Sequence, residues 1–519
     1  MRGTGSPRPV AAPLALTALC GVLFLTFLDN TVVSVAIADM QKSLRTGVAS
    51  LQWVVDAYML AFAGLMLIGG TLGDLLGRKK VMLSGVVLFC GGSLLSALAG
   101  DANTLVAGRV VMGIGAAACE PGTLSLIRQI YRYDRARARA LGVWTSVSGI
   151  SLAAGPVVGG ILVALAGWRG IFWFNLAFGA VALAAAAWTL PESADPAGRS
   201  LDVPGLVTGV AAIATVTFAI IEGENVGFGT PWIDGLFAVG VLAAVLFVLI
   251  ERRAGDPVVR REYFKLPAYS SANAVAFATS FGLFAVFFFT ALYLQVVAKF
   301  SGSQLALQFV PMAVAMVVAG QVAGRWTAAR GPRGPMAAGC LLSAGGIFAV
   351  DAILDPSVSI GTLSPALAVV GFGLGLALVA VTSAVLSIVP QERSGMAAST
   401  VNTSRQLGGV LAVAILGAVI NGRLVSELTR KLAALGAPHD LQQLVLNAVT
   451  HGGLPANKEL AVLANPVVAA EALLHPGILG KILDASTTAF GHALHQGLVV
   501  AAAILLAGAA VSLFATRAD

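Results

Sequence analysis

Apolar stretches, each near the length of a membrane crossing and separated by short polar segments, recur along this chain from Leu14 to Phe514. A helix needs roughly 20 such residues to cross a hydrocarbon core of about 30 Å. The pattern predicts fourteen spans, near 14–38, 50–70, 81–100, 104–127, 140–166, 169–190, 204–222, 232–250, 270–297, 304–327, 336–353, 362–389, 402–421 and 491–515. Lipid offers the backbone no hydrogen-bond partners, so spans of this length are expected to be helices and the chain an all-α polytopic membrane protein. The first stretch follows a basic start, Met1-Arg2. It outruns the apolar core of a secretion signal, contains Asp29 and lacks a small-residue cleavage site, so it is read as a span.

Composition agrees with a bilayer as solvent: of 519 residues, 57% are hydrophobic and 11% charged, more apolar than a water-soluble core requires. A net charge of +7 would suit nucleic acid, but its placement argues otherwise. Lysine and arginine crowd into alternate loops, notably Arg128–Arg139 and Arg252–Lys265. The positive-inside rule puts those loops and both termini in the cytoplasm of a plasma-membrane protein, with lipid headgroups rather than nucleic acid as the partner of the charge. Cys20, Cys90, Cys119 and Cys340 all fall within spans, without metal-ligand or disulfide spacing. No Gly-x4-Gly-Lys-Ser/Thr phosphate loop is present, and the histidines, all after residue 435, form no metal or nucleophile motif. Neither a cofactor nor enzymatic chemistry is expected.

The segment from Gly70 to Lys80 concentrates Gly70, Gly73, Asp74, Gly77, Arg78, Lys79 and Lys80 between two apolar stretches. An echo, Gly320-Gln-Val-Ala-Gly-Arg with Arg330, Gly331 and Arg333, follows the tenth span. This repetition predicts two six-helix halves, residues 1–190 and 269–519, around an inserted pair in 191–268 comprising spans seven and eight. Residues 422–490 are expected to form a long outer loop with short helices capping that face. The Gly70–Lys80 segment resembles the loop between spans two and three of major facilitator superfamily transporters. That resemblance implies a conformational gate made by Gly70, Gly73, Asp74, Gly77 and Arg78, in which Asp74 meets cations or a helix N-terminus of the opposite half.

Span five carries Gly142, Ser151, Gly155, Pro156, Gly159 and Gly160. Their spacing resembles the antiporter motif of proton-coupled exporters in that superfamily, with Ser151 in place of its middle glycine, and implies export. Leu28-Asp-Asn-Thr-Val-Val-Ser-Val-Ala36 resembles the first span of fourteen-span drug:proton antiporters of the EmrB and QacA type. Trp53-Val-Val-Asp-Ala-Tyr58, Trp168-Arg-Gly-Ile-Phe-Trp-Phe-Asn175, Tyr293-Leu-Gln295 and Asn402-Thr-Ser-Arg-Gln-Leu-Gly-Gly409 extend the likeness over nearly the whole chain.

Charges inside spans are costly, about 2.5–3.5 kcal/mol on insertion scales, and are therefore functional candidates. Asp29 and Arg109 are expected at similar depth in the outer half, as a proton-coupling pair or as a permanent helix lock. Asp56 adds a second acid near that depth. It either joins proton coupling or the recognition of a cation, or is hydrated at the outer mouth. Glu120 lies eleven residues after Arg109 and so on nearly the same helix face. It either faces a substrate cavity with Tyr293, Gln295 and Arg405 or pairs with a loop arginine. Arg405, beside Asn402 and Gln406, alternatively anchors its helix at the headgroups.

Together these features predict a proton-coupled antiporter exporting small amphipathic or cationic compounds by alternating access, working as a monomer with accessory proteins allowed. A dedicated exporter of a lipid, antibiotic or other metabolite fits the same residues. A nutrient importer and a transport-dead sensor fit them less well.

Overall fold

The computed structural model describes residues 12–44, 48–131, 133–193, 202–227, 229–254, 260–300, 302–390, 393–434 and 478–514, with positions 442 and 446 besides. Helices dominate, with no strand among the described residues. The first cluster comprises α1 (Ala12–Val32), extended by a 3-10 turn to the short α2 (Ile37–Leu44), then α3 (Val48–Leu76), α4 (Arg78–Ala97), α5 (Ala102–Ile130), α6 (Asp134–Ala166) and α7 (Arg169–Thr189). A hairpin of α8 (Val203–Val226) and α9 (Pro231–Glu251) follows, then the single turn α10 (Arg261–Phe264). The second cluster is α11 (Pro267–Phe284), continued by a π-helical turn into α12 (Ala291–Val296), with α13 (Gly302–Arg330), α14 (Arg333–Ile353), α15 (Ser364–Ile388), α16 (Ser394–Ala434) and α17 (Ile478–Phe514).

Twelve of these helices are long and apolar enough to cross a membrane, or thirteen with the bent pair Trp53–Met66 and Ile68–Leu76 of α3 counted as one span. The expected count of fourteen is therefore not reached on that measure. The remaining predicted segment, the fifth, is occupied by α6, a continuous helix of 33 residues. The expected outer loop also begins later and ends earlier. α16 runs on to Ala434 and α17 starts at Ile478. Leu424, Leu428 and Leu432, spaced every fourth residue, belong to the same buried cluster as Ile482, Ala485 and Phe490. Arg423 and Arg430 meanwhile pair with Glu427 on the same helix. An apolar count ends the thirteenth span too early because this extension is amphipathic. The expected capping helices lie outside the described residues.

Glycine sets how closely the two clusters approach. A Cβ on Gly142 of α6 would sit 2.5 Å from the Gly320 carbonyl of α13, and one on Gly320 would sit 2.8 Å from the Gly142 carbonyl. Only hydrogens fit there, so the two backbones touch. Ser146 Oγ, one turn along, donates to the Val317 carbonyl at 3.0 Å. Close contact recurs within the first cluster at Pro121. The ring removes the N–H that would cap the Ala117 carbonyl, and α3 covers that oxygen at Gly69, where a Cβ would come within 2.1 Å.

The α8–α9 hairpin sits beside both clusters. α8 packs on α3 and α16, with the Trp53 and Phe218 rings 5.5 Å apart. α9 is the least buried of the described membrane helices.

Gly142→Leu is expected to wedge α6 and α13 apart while leaving insertion intact. The fully buried Ser399, replaced by Cys in a background with the native cysteines removed, should then label severalfold faster with an impermeant maleimide. Unchanged labelling would show that this contact does not close the bundle.

Candidate functional site

Gly77 makes the turn between α3 and α4 in one residue, with φ of 113°, a backbone shape that side chains with a Cβ rarely adopt. Lys79 follows and its Nζ donates to the carbonyls of Ala187 at 2.7 Å and Leu190 at 2.8 Å, a cation capping the C-terminal end of α7. Asp74, almost completely buried, sits one turn before Gly77. Its Oδ1 accepts from Arg78 Nε at 3.0 Å and Nη2 at 2.8 Å, and from the Gly395 amide at 3.0 Å. Its Oδ2 accepts from the Met396 amide at 3.0 Å.

Gly395 and Met396 open α16, so a carboxylate of the first cluster caps a helix N-terminus of the second. Gly70 permits the approach, since a Cβ there would lie 2.5 Å from Ser399 Cβ. Gly73 lies on the same helix, nearest Arg78. Arg128 also bridges the clusters, donating to the Pro390 carbonyl at 3.2 Å. This basic end of the bundle is thus held shut at several points.

Farther into the bundle, α1 and α5 bring Asp29 and Arg109 together, 0% and 1% exposed. Arg109 Nη1 donates to Asp29 Oδ2. Asp29 Oδ1 accepts from Asn175 Nδ2 at 2.7 Å. Arg109 Nε donates to the Val54 carbonyl at 2.8 Å, and its guanidinium carbon lies 4.3 Å from the centre of the Tyr58 ring. Tyr58 in turn donates to the Thr26 carbonyl at 3.1 Å. Four helices converge on one carboxylate. Asn175 and Tyr58 stood in the family-like stretches but were not expected as site residues. A lone polar side chain within an apolar run was the available signal. Asp56 lies half-buried on α3, between Val54 and Tyr58.

A second cluster crosses the interface between the helix clusters. Arg405 of α16 is buried. Its Nη1 donates to Asn402 Oδ1 at 3.1 Å, and its Nη2 to Thr382 Oγ1 at 2.6 Å and to the Leu378 carbonyl at 3.3 Å. From α5, Glu120 faces it and the two charges interact through space. Among the described residues the Glu120 carboxylate has no hydrogen bond. Trp144 of α6 closes the group: its ring centre is 5.7 Å from the guanidinium carbon, and its Nε1 donates to Thr123 Oγ1 at 3.1 Å.

A narrow cavity of about 70 Å³ lies between the clusters, lined by Asn30, Thr31 and Met59 on one side and Phe284, Phe287 and Met316 on the other. Tyr293 is elsewhere, stacked 5.9 Å from Phe490 in the core of the second cluster. Gln295 is helical in α12, but its side chain lies outside the described residues, as does that of Pro156. Gly155 and Gly159 of α6 pack on α1, where a Cβ would meet Thr31 Oγ1 and the Val32 carbonyl respectively. Gly160 has open space beside it.

Two helix clusters joined through glycine contacts, with ion pairs buried among helices long and apolar enough to cross a bilayer, define a multi-pass membrane protein. The chain belongs to the Major Facilitator Superfamily, whose pattern matches residues 19–413. It is 35% identical over 417 residues to the methylenomycin A resistance protein of Streptomyces coelicolor, covering 80% of this chain and 87% of that one. The multidrug resistance protein Stp of Mycobacterium tuberculosis is 31% identical over 475 residues, 90% of this chain and 88% of its own. The tetracenomycin C resistance and export protein of Streptomyces glaucescens is 30% identical over 511 residues, 98% and 92% of the two chains.

Removing one partner of a buried ion pair typically costs about 3–5 kcal/mol. Arg109→Gln should therefore lower the thermal midpoint in detergent clearly. The double variant Asp29→Asn/Arg109→Gln should lose less than the sum of the single variants. Strict additivity would mean the two groups are not coupled.

Proposed function

We propose that this chain is a proton-coupled exporter of small amphipathic compounds, with its basic end and both termini in the cytoplasm and Asp29 as the proton carrier. The observation that carries the reading is the Asp29 carboxylate, 0% exposed and held by Arg109 and Asn175. Protonation of Asp29 removes the negative charge that Arg109 neutralises, so the guanidinium is left to seek another partner. Asn175 suits both states. Its amide N–H holds the carboxylate, and its Oδ1, without a hydrogen-bond partner among the described residues, can accept from a carboxylic acid after the amide turns over.

A route from proton to cargo follows from the contacts. Thr31, two residues beyond Asp29, both lines the cavity and packs on Gly155 of α6. The same α6 meets α13 at Gly142 and Gly320. A shift of α1 on proton exchange therefore reaches the cavity wall and the contact between the two halves, which we assign to residues 1–190 and 269–519. The Asp74 clamp holds the cytoplasmic side closed until that contact gives way, the behaviour alternating access requires. Met59, Phe284, Phe287 and Met316 give the cavity an apolar lining suited to a greasy cargo. Asp56, half-buried on α3 and not part of that lining, is the acid we assign to the recognition of a cationic one. The membrane potential contributes roughly 2.3 kcal/mol per charge per 100 mV, so the net charge exchanged sets the gradient attainable. Export rather than import is supported by the spaced glycines of α6 and by relatives named for resistance and export. Two relatives named for single antibiotics favour, as a second reading, a dedicated antibiotic exporter using the same machinery.

In proteoliposomes with an imposed pH gradient, cationic dyes and antibiotics are expected to move against proton flow. Asp29→Asn should abolish gradient-driven transport while the protein still inserts and folds. Gradient-driven transport that survives in Asp29→Asn would remove Asp29 from the coupling role.

A further inference from the structure

Apart from the central cavity, the structure holds a larger one of about 690 Å³ at the basic end, enclosed by α8, α9, the α10 turn and α16. Its walls are of two kinds. Gly209, Ala212, Phe247 and Leu407 form an apolar groove, while Arg252, Arg261 and Lys265 stand around it against a single carboxylate, Glu251. Deep on the α16 side, the Thr403 hydroxyl is shielded from solvent and has no hydrogen-bond partner among the described residues.

The surroundings identify the phase onto which this groove opens. α9, one of its walls, exposes Val241, Leu242, Val245 and Val248, an apolar face that belongs in lipid. Phe264 and Leu266 project beside Arg261 and Lys265 at the start of the second helix cluster. Apolar and cationic side chains alternating over a few residues are what a segment lying at the headgroup boundary carries. A ligand entering here meets hydrocarbon along its length and positive charge at one end.

We propose that this cavity is a stoichiometric site for one anionic phospholipid. Its phosphate is held by Arg252, Arg261 and Lys265, with Thr403 as a further donor, and one acyl chain lies in the groove between α8, α9 and α16. A charge excess of this kind at a membrane surface selects anionic over zwitterionic headgroups. The groove adds an apolar requirement that free phosphate does not meet. The lipid thereby fills the space between the α8–α9 hairpin and α16, the helix whose N-terminus Asp74 caps.

Native mass spectrometry of the full-length chain, delipidated and titrated with phosphatidylglycerol or phosphatidylcholine, tests the site. One phosphatidylglycerol should stay bound per chain, phosphatidylcholine should not, and excess inorganic phosphate should not displace it. The exposed triple variant R252Q/R261Q/K265Q should lower retention by at least about tenfold. Ala212→Trp, which fills the groove without changing charge, should also lower it. Equal retention of the two lipids, displacement by inorganic phosphate, or unchanged retention in either variant would overturn the proposal. None of these readouts depends on transport or its direction.

Discussion

A charge placed in hydrocarbon must find its counter-charge or hydrogen bonds within the protein, because the surrounding medium supplies neither. That constraint organises this molecule more than the size of its apolar core does. Asp29 draws α1, α3, α5 and α7 to one point through Arg109, Asn175, Val54 and Tyr58. Arg405 gathers Asn402, Thr382 and the Leu378 carbonyl inside the second cluster while its charge reaches to Glu120 in the first. One network therefore lies within a helix cluster and the other spans the boundary. Only the second network has partners in both clusters.

The boundary itself is made of short-range contacts. Backbone contacts such as Gly142 on Gly320 depend on close approach and little side-chain interlocking, so their stabilisation falls steeply with separation. The Asp74 clamp adds direction, since its hydrogen bonds to the α16 amides exist only when the two clusters meet at that angle. Pro121 contributes a different element. By freeing the Ala117 carbonyl it gives α5 a bare backbone spot that α3 covers, and Glu120 sits just before that break, where the helix is least constrained by its own ladder.

Much of this was legible in the sequence because hydrocarbon makes patterns explicit. Span positions and the similar depth of Asp29 and Arg109 could be read from hydrophobicity and from the rarity of charge, while the partners of Asp74, cations or a helix N-terminus, came with the family resemblance of its loop. The extensions of α16 and α17 could not, since Leu424, Leu428 and Leu432 alternate with charged residues and resemble a loop to an apolar count. Asn175 gave only a faint signal, because one amide in an apolar helix has no assignable partner until its neighbour in space is known. Tyr293 shows the opposite failure. An aromatic near a span end looks available to a cavity, but the stacking partner that claims it, Phe490, is nearly two hundred residues away in sequence.

The donor side of the Asp74 clamp, apart from Arg78, is main chain. Every amino acid except proline supplies the same amide hydrogen, so the identity of the side chains at positions 395 and 396 matters to this bond only through bulk. Bulk decides at position 395, where a Cβ would lie 2.5 Å from Asp74 Oδ1, so only glycine lets the carboxylate reach the helix end. The other side is one carboxylate with its arginine. The side-chain chemistry of this lock is thus written on one side of it, and the echo at Gly320 carries glycine and arginine but no matching acid.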